Sequence, residues 1–132
     1  MKRNSVGPLG ETELEILNIV WDLESASVAD VLDEIRKRRD VAYTTVMTIM
    51  RKLADKGYLQ YREDGKTYIY SAARPADDVR GNLLADLVDK VFLGSGMDLV
   101  RTLVKTEHLT NAQRAELRVL IESMEEGTDG NA

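Results

Sequence analysis

Between Val41 and Gly57 the chain reads VAYTTVMTIMRKLADKG, a stretch that sorts hydroxyls and cations from aliphatics at helical spacing. Thr44, Thr48 and Arg51 fall at i, i+4 and i+7, flanked by Thr45, Met47 and Lys52. Val46, Ile49, Met50 and Leu53 form the opposite stripe. A solvated helical face normally interleaves Glu with Lys, yet no acid occurs here before Asp55. Short hydroxyls hydrogen-bond base edges or phosphates, a methyl group packs on thymine, and Arg grips guanine or phosphate. The pattern points to a helix over 43–56 that reads double-stranded DNA in the major groove. Its expected contacts are Tyr43, Thr44, Thr45, Thr48, Arg51 and Lys52. The plain alternative is an amphipathic surface helix with Thr on its outside.

Charge distribution bears on the choice. The 132 residues carry a net charge of −5, which by itself disfavours a DNA binder. Residues 1–75 balance 12 basic against 12 acidic side chains, so the whole deficit lies in 76–132. Within 36–66 there are 9 basic and 4 acidic residues. Screening over about 8–10 Å uncouples that local surplus from a remote acidic region. The chain has no cysteine, which removes disulfides, thiolate metal sites and cysteine nucleophiles. Met1 to Gly10 lacks an apolar run, and no stretch approaches the roughly 20 apolar residues of a membrane span. A cytoplasmic protein without a cofactor is expected.

Other elements must position that helix. Residues 1–8 have no periodicity and read as a frayed tail. A first helix opens with Gly10 as N-cap, Glu13 at N3 and a Leu9–Leu14 staple, and buries Leu14, Leu17, Val20 and Trp21. Ser27-x-x-Asp30 is a capping box for a second helix with the stripe Val28, Val31, Leu32, Ile35, running out into Arg36-Lys37-Arg38-Arg39. Those cations suit a helix C-terminus and could equally meet a nucleic-acid backbone. Gly57 ends the third helix in the left-handed conformation. Leu59 to Tyr70 then reads as a hairpin with Asp64-Gly65 as its two-residue loop. In that register Tyr61 opposes Tyr68, Leu59 opposes Tyr70 and Glu63 opposes Lys66, and the tyrosines serve mainly as core.

Three helices followed by a two-stranded hairpin make a winged helix-turn-helix, expected over 1–74, with Arg62, Lys66 and Thr67 of the wing near the DNA backbone. The class is mostly α. Pro75 starts a further helix at its N1 position, and residues 75–126 hold three helices before a disordered tail at 127–132. Leu84, Leu87, Val88, Val91, Leu99, Leu103, Leu117, Leu120 and Ile121 give them more aliphatic surface than one winged-helix module can cover. A homodimer through these residues solves this and suits a palindromic site. A three-helix cap folded back on the first domain is the alternative.

Two other functional classes compete. An enzyme lacks support: His108 is the sole histidine, with no second catalytic partner at a telling spacing, and no glycine-rich phosphate loop occurs. A winged helix used as a protein-interaction module, without specific DNA binding, should expose larger apolar side chains on the 43–56 helix.

From Leu9 to Glu122 the chain resembles the penicillinase repressor family, the BlaI/MecI group of bacterial regulators. The resemblance rests on LGETELEILNIVW, TTVMTIMRKLADKGYL, KTYIYS, KVFLGSGMDLVRTLV and HLTNAQRAELRVLIE. It implies a dimeric repressor on a palindromic operator, with the C-terminal helices as the dimer interface. It also implies release by cleavage in that region, set off by a membrane sensor with a cytoplasmic zinc protease. The corresponding bond would lie near Thr102-Leu103, where members so cleaved have Asn-Phe. Further departures are Ala42, where relatives often place a Ser cap, and Lys52 in place of a common Arg. The cysteine cluster of copper-responsive relatives is absent.

Overall fold

The computed structural model describes residues 9–106 and 108–127. The tail expected at 1–8 lies outside the described residues, as does that at 127–132 apart from Gly127, which closes the last helix. The order is α1 (Glu11–Leu23), β1 (Ser25–Ala26), α2 (Val28–Arg36), α3 (Tyr43–Asp55), β2 (Leu59–Asp64), β3 (Thr67–Ala72), α4 (Ala76–Val91), α5 (Gly96–Lys105) and α6 (Asn111–Gly127). The chain divides into two compact units after Gly81, within α4.

Local signals fix the helix ends. The Gly10 amide donates to Glu13 Oε1 at 2.8 Å and opens α1. Ser27 and Asp30 exchange amide bonds at 3.0 and 3.1 Å at the start of α2. Thr110 and Gln113 do the same at the start of α6. At the end of α3 the Gly57 amide donates to Ala54 O and the Tyr58 amide to Leu53 O, both at 3.0 Å. This is a Schellman turn, and it requires Gly57 at φ +87°. Buried Leu53 and Tyr58 stand at the two positions that make its usual apolar contact.

The first unit packs α1, α2 and α3 against a three-stranded antiparallel sheet of order β1-β3-β2. Ile16, Leu17 and Val20 of α1, Val31 and Ile35 of α2, and Val46, Met50 and Leu53 of α3 are fully buried. Complete burial of such side chains contributes about 1.5–3 kcal/mol each. The α1 stripe is rotated from the expected one: Glu13, Ile16, Leu17 and Val20 face inward, whereas Leu14 and Trp21 are only half-buried. The cause is Glu13, a capping residue that also occupies the first position of the core stripe. Trp21 is covered by the Arg80 guanidinium, 4.8 Å from its ring centroid, and Val79 is buried. The first turns of α4 thus complete this unit.

The sheet corrects two expectations. Ser25 and Ala26 pair with Ser71 and Tyr70, adding a strand to the expected two. The hairpin register is also shifted: Asp64 pairs with Thr67, Tyr61 with Tyr70 and Leu59 with Ala72. The loop is therefore Gly65-Lys66. Gly65 has φ +66° while Lys66 keeps a negative φ, so one glycine suffices where Asp64-Gly65 needs two left-handed residues.

In the second unit the helices keep apolar faces open. Leu84, Leu87, Val91, Leu103, Leu120 and Ile121 are exposed, joined by Leu93, Met97, Val119 and Met124. Val88, Leu99 and Leu117 are half-buried. Among the described residues, no helix is long and apolar enough to cross a membrane.

Candidate nucleic-acid interface

Burial of Val46, Met50 and Leu53 fixes the rotation of α3 and turns its hydroxyl-rich side outward. Thr44, Thr45, Thr48, Arg51 and Lys52 are all exposed, and Tyr43 is 48% exposed at the entry to the helix. Ala42 is the N-cap and supplies no side-chain hydrogen bond, and no acid sits in the first turn. Neither Thr44 nor Asp40 replaces the missing cap. The amide end of α3 therefore keeps its partial positive charge, an environment suited to an anion.

Two cations tie this helix into the fold. In the turn before it, Arg36 Nε and Nη2 donate to Val41 O at 3.3 and 3.2 Å. Midway, Arg51 is near enough to Tyr70 on β3 for its charge to act on the phenol. Burial pushes the Tyr70 phenol up, the Arg51 charge opposes that, and the neighbouring Tyr61 and Tyr68 reinforce it. At the far end, Lys56 Nζ donates to Glu13 Oε1 and Oε2 at 3.1 and 3.0 Å. Burial alone would raise the Glu13 carboxyl; the Gly10 amide and the Lys56 ammonium outweigh it and hold the group below its ordinary 4.5.

The basic run after α2 is also engaged internally. Lys37 pairs with Glu34 at 2.9 Å, and both Arg38 and Arg39 reach Glu15 on α1. Its charges brace the turn between α2 and α3. Arg62 and Lys66 are exposed on β2 and in the hairpin loop. On the other face of the hairpin, Tyr61 stacks on Tyr68 with centroids 4.5 Å apart. Tyr61 is 50% exposed, so of the three wing tyrosines only Tyr70 is full core.

Sequence reasoning missed Glu13, Lys56 and Arg36 as the residues that hold α3. Gly10-x-x-Glu13 signalled the cap but not its partner 43 residues away. Thr102 and Leu103 lie within α5, where Thr102 Oγ1 donates to Asp98 O at 2.8 Å. His108 Nδ1 is 2.7 Å from Thr106 Oγ1 on the surface. Among the described residues, no three His, Asp or Glu side chains are grouped to hold a metal.

A family model described as penicillinase repressor matches residues 9–123. The methicillin resistance regulatory protein MecI of Mammaliicoccus sciuri is 27% identical over 118 residues, covering 89% of this chain and 96% of MecI. The penicillinase repressor of Staphylococcus aureus is 28% identical over 109 residues, covering 83% and 86% of the two chains. The solution structure of the DNA binding domain of the repressor BlaI shares the fold, with TM-score 0.50 at 24% identity, over 59% of this chain and 93% of that domain. Relatives that are transcriptional repressors, and not any missing residue, set aside an enzymatic role. The match spans nearly all the described residues, and the chain belongs to the penicillinase repressor family.

Proposed function

We propose that this chain is a cytoplasmic, homodimeric transcriptional repressor that reads a palindromic operator with α3 in the major groove. The observation that carries the reading is the outer face of α3, which holds no acid before Asp55 in its last turn, with Thr44, Thr45 and Thr48 exposed beside an uncapped amide end. Thr44, Thr45 and Thr48 serve base edges and adjacent phosphates, while Tyr43, Lys52, Arg62 and Lys66 serve the backbone.

Electrophoretic shift and fluorescence anisotropy on DNA selected by the wild-type protein from a random-sequence library test this. Each neutralised phosphate contributes about −0.9 to the slope of log K against log salt. With Lys52, Arg62 and Lys66 on phosphates, two protomers give a slope of roughly −5; all nine cations of 36–66 would give roughly −16. Lys66→Ala should weaken all sequences alike and reduce the salt slope by about 1 per protomer. Thr48→Ala should instead change the ranking of operator variants, by about 1–3 kcal/mol per affected base pair. Failure of the library to enrich any sequence overturns the reading and favours a protein-docking module.

The open apolar faces of α4, α5 and α6 support dimerisation, with Leu84, Leu87, Val88, Val91, Leu99, Leu103, Leu117, Leu120 and Ile121 as its surface. A monomer by light scattering at micromolar concentration refutes it. Release by a membrane sensor's protease rests on the family. Thr102-Leu103 is helical, so α5 must unwind before the bond fits an extended-substrate cleft. Mass spectrometry of the repressor during derepression tests this, and an intact chain would exclude it.

A further inference from the structure

We infer that Glu15 limits sequence-independent DNA binding by holding Arg38 and Arg39, just ahead of α3, away from phosphate. The inference deepens the DNA-binding reading above and rests on it. Glu15 lies on α1 with its side chain 17% exposed, and its two oxygens serve two cations. Arg39 Nη2 donates to Oε1, and Arg38 Nη1 stands 3.7 Å from Oε2. Both arginines are otherwise exposed to solvent. Arg39 stands four positions before Tyr43, the first residue of α3, at most about 14 Å of chain.

Duplex DNA attracts any cation free to meet its phosphates, and this term supplies essentially all non-specific affinity. Two free arginines ahead of α3 would feed that term without adding to sequence readout. A carboxylate fixed in the fold competes with phosphate for them. It is already in place, so the pair forms without the freedom lost when separate molecules associate. It is also mostly covered by protein, where charges attract more strongly than in open water. Drawing both arginines onto phosphate would leave that carboxylate unpaired and facing a like charge. One acid thus keeps two cations out of the non-specific complex.

Glu15→Gln keeps the size of the side chain and removes its charge. Fluorescence anisotropy on a random-sequence duplex, from about 50 to 200 mM salt, reads the effect. Freeing two cations should steepen the slope of log K against log salt by about 1.8 per protomer, or about 3.6 for two. The affinity lost across that range then grows by on the order of a hundredfold. Glu15→Gln/Arg38→Ala/Arg39→Ala should return to the wild-type slope. Asp22→Asn, which removes an exposed acid from the same helix, should leave the slope unchanged. A bracing role alone would lower the thermal midpoint of Glu15→Gln without steepening the slope. That result overturns the inference, as does steepening that survives loss of both arginines or that Asp22→Asn reproduces. Selection from the library tests the DNA-binding reading separately; wild-type protein that binds no duplex at any salt ends both.

Discussion

Replacing Glu13 by Gln tests whether the buried pair at the base of α3 stabilises the winged-helix unit through its charge. Glu13 is 8% exposed, and its two oxygens take the Gly10 amide and the Lys56 ammonium. Gln keeps an acceptor for Gly10 but turns an N–H toward Lys56. Removing one charge of a fully buried pair costs about 3–5 kcal/mol. The Lys56 side chain is about a quarter exposed and can partly rehydrate, so the expected loss is about 2 kcal/mol. For a domain of this size that is a fall in thermal midpoint of roughly 10 °C. The pH dependence separates charge from packing. Glu13 is depressed from 4.5 in the folded state, so its contribution is complete above that value and is lost as pH falls through the folded-state one. Circular dichroism melts of both proteins should differ fully at pH 7 and converge as the pH falls below 4.5. A gap that stays constant as the pH falls refutes the charge argument, and a gap below about 0.3 kcal/mol at pH 7 refutes the pair's importance.

Ala42→Ser should supply the missing cap of α3 and raise stability by about 1 kcal/mol, seen in the same melts. Glu24→Gly should also stabilise, by about 1 kcal/mol, because Glu24 sits at φ 73°, ψ −44°, a conformation glycine adopts without strain. Leu120→Asp/Ile121→Asp should halve the mass found by light scattering and weaken binding to the full palindrome more than to a half-site. An unchanged dimer would remove both residues from the proposed interface.

What the sequence revealed follows the range of the interactions involved. The capping box at Ser27-Asp30 and the Gly57 turn are decided within a few residues and read correctly. The hairpin lay within reach too, but Asp64-Gly65 and Gly65-Lys66 both place a glycine at a left-handed position, and the alternation of Tyr61, Tyr68 and Tyr70 is the same in either register. Strand β1 has two residues, too few for any periodicity, and is made by its partner β3. Glu13 could not be placed on the core stripe without knowing that Lys56 would come to it. Arg39 and Glu15 likewise meet across 24 residues, so the basic run gave no sign that its charges are used inside the domain.

That internal use of charge explains how a locally basic region serves a helix that reads sequence. Arg36 and Lys56 hold the turn before α3 and its end against Val41 and Glu13. Arg38 and Arg39 lock the preceding helix end to α1. A cation engaged within the fold adds little to phosphate binding but fixes the backbone that carries Thr44, Thr45 and Thr48. Hydroxyls have short reach and tolerate small positional error, so base readout by threonine demands a backbone placed within about 0.5 Å. Longer Arg or Lys readers could search for their partners at the expense of rotamer entropy. The choice of threonine on the outer face and of cations at the joints is therefore one arrangement: rigidity supplied by the ion pairs is what makes short side chains usable as readers.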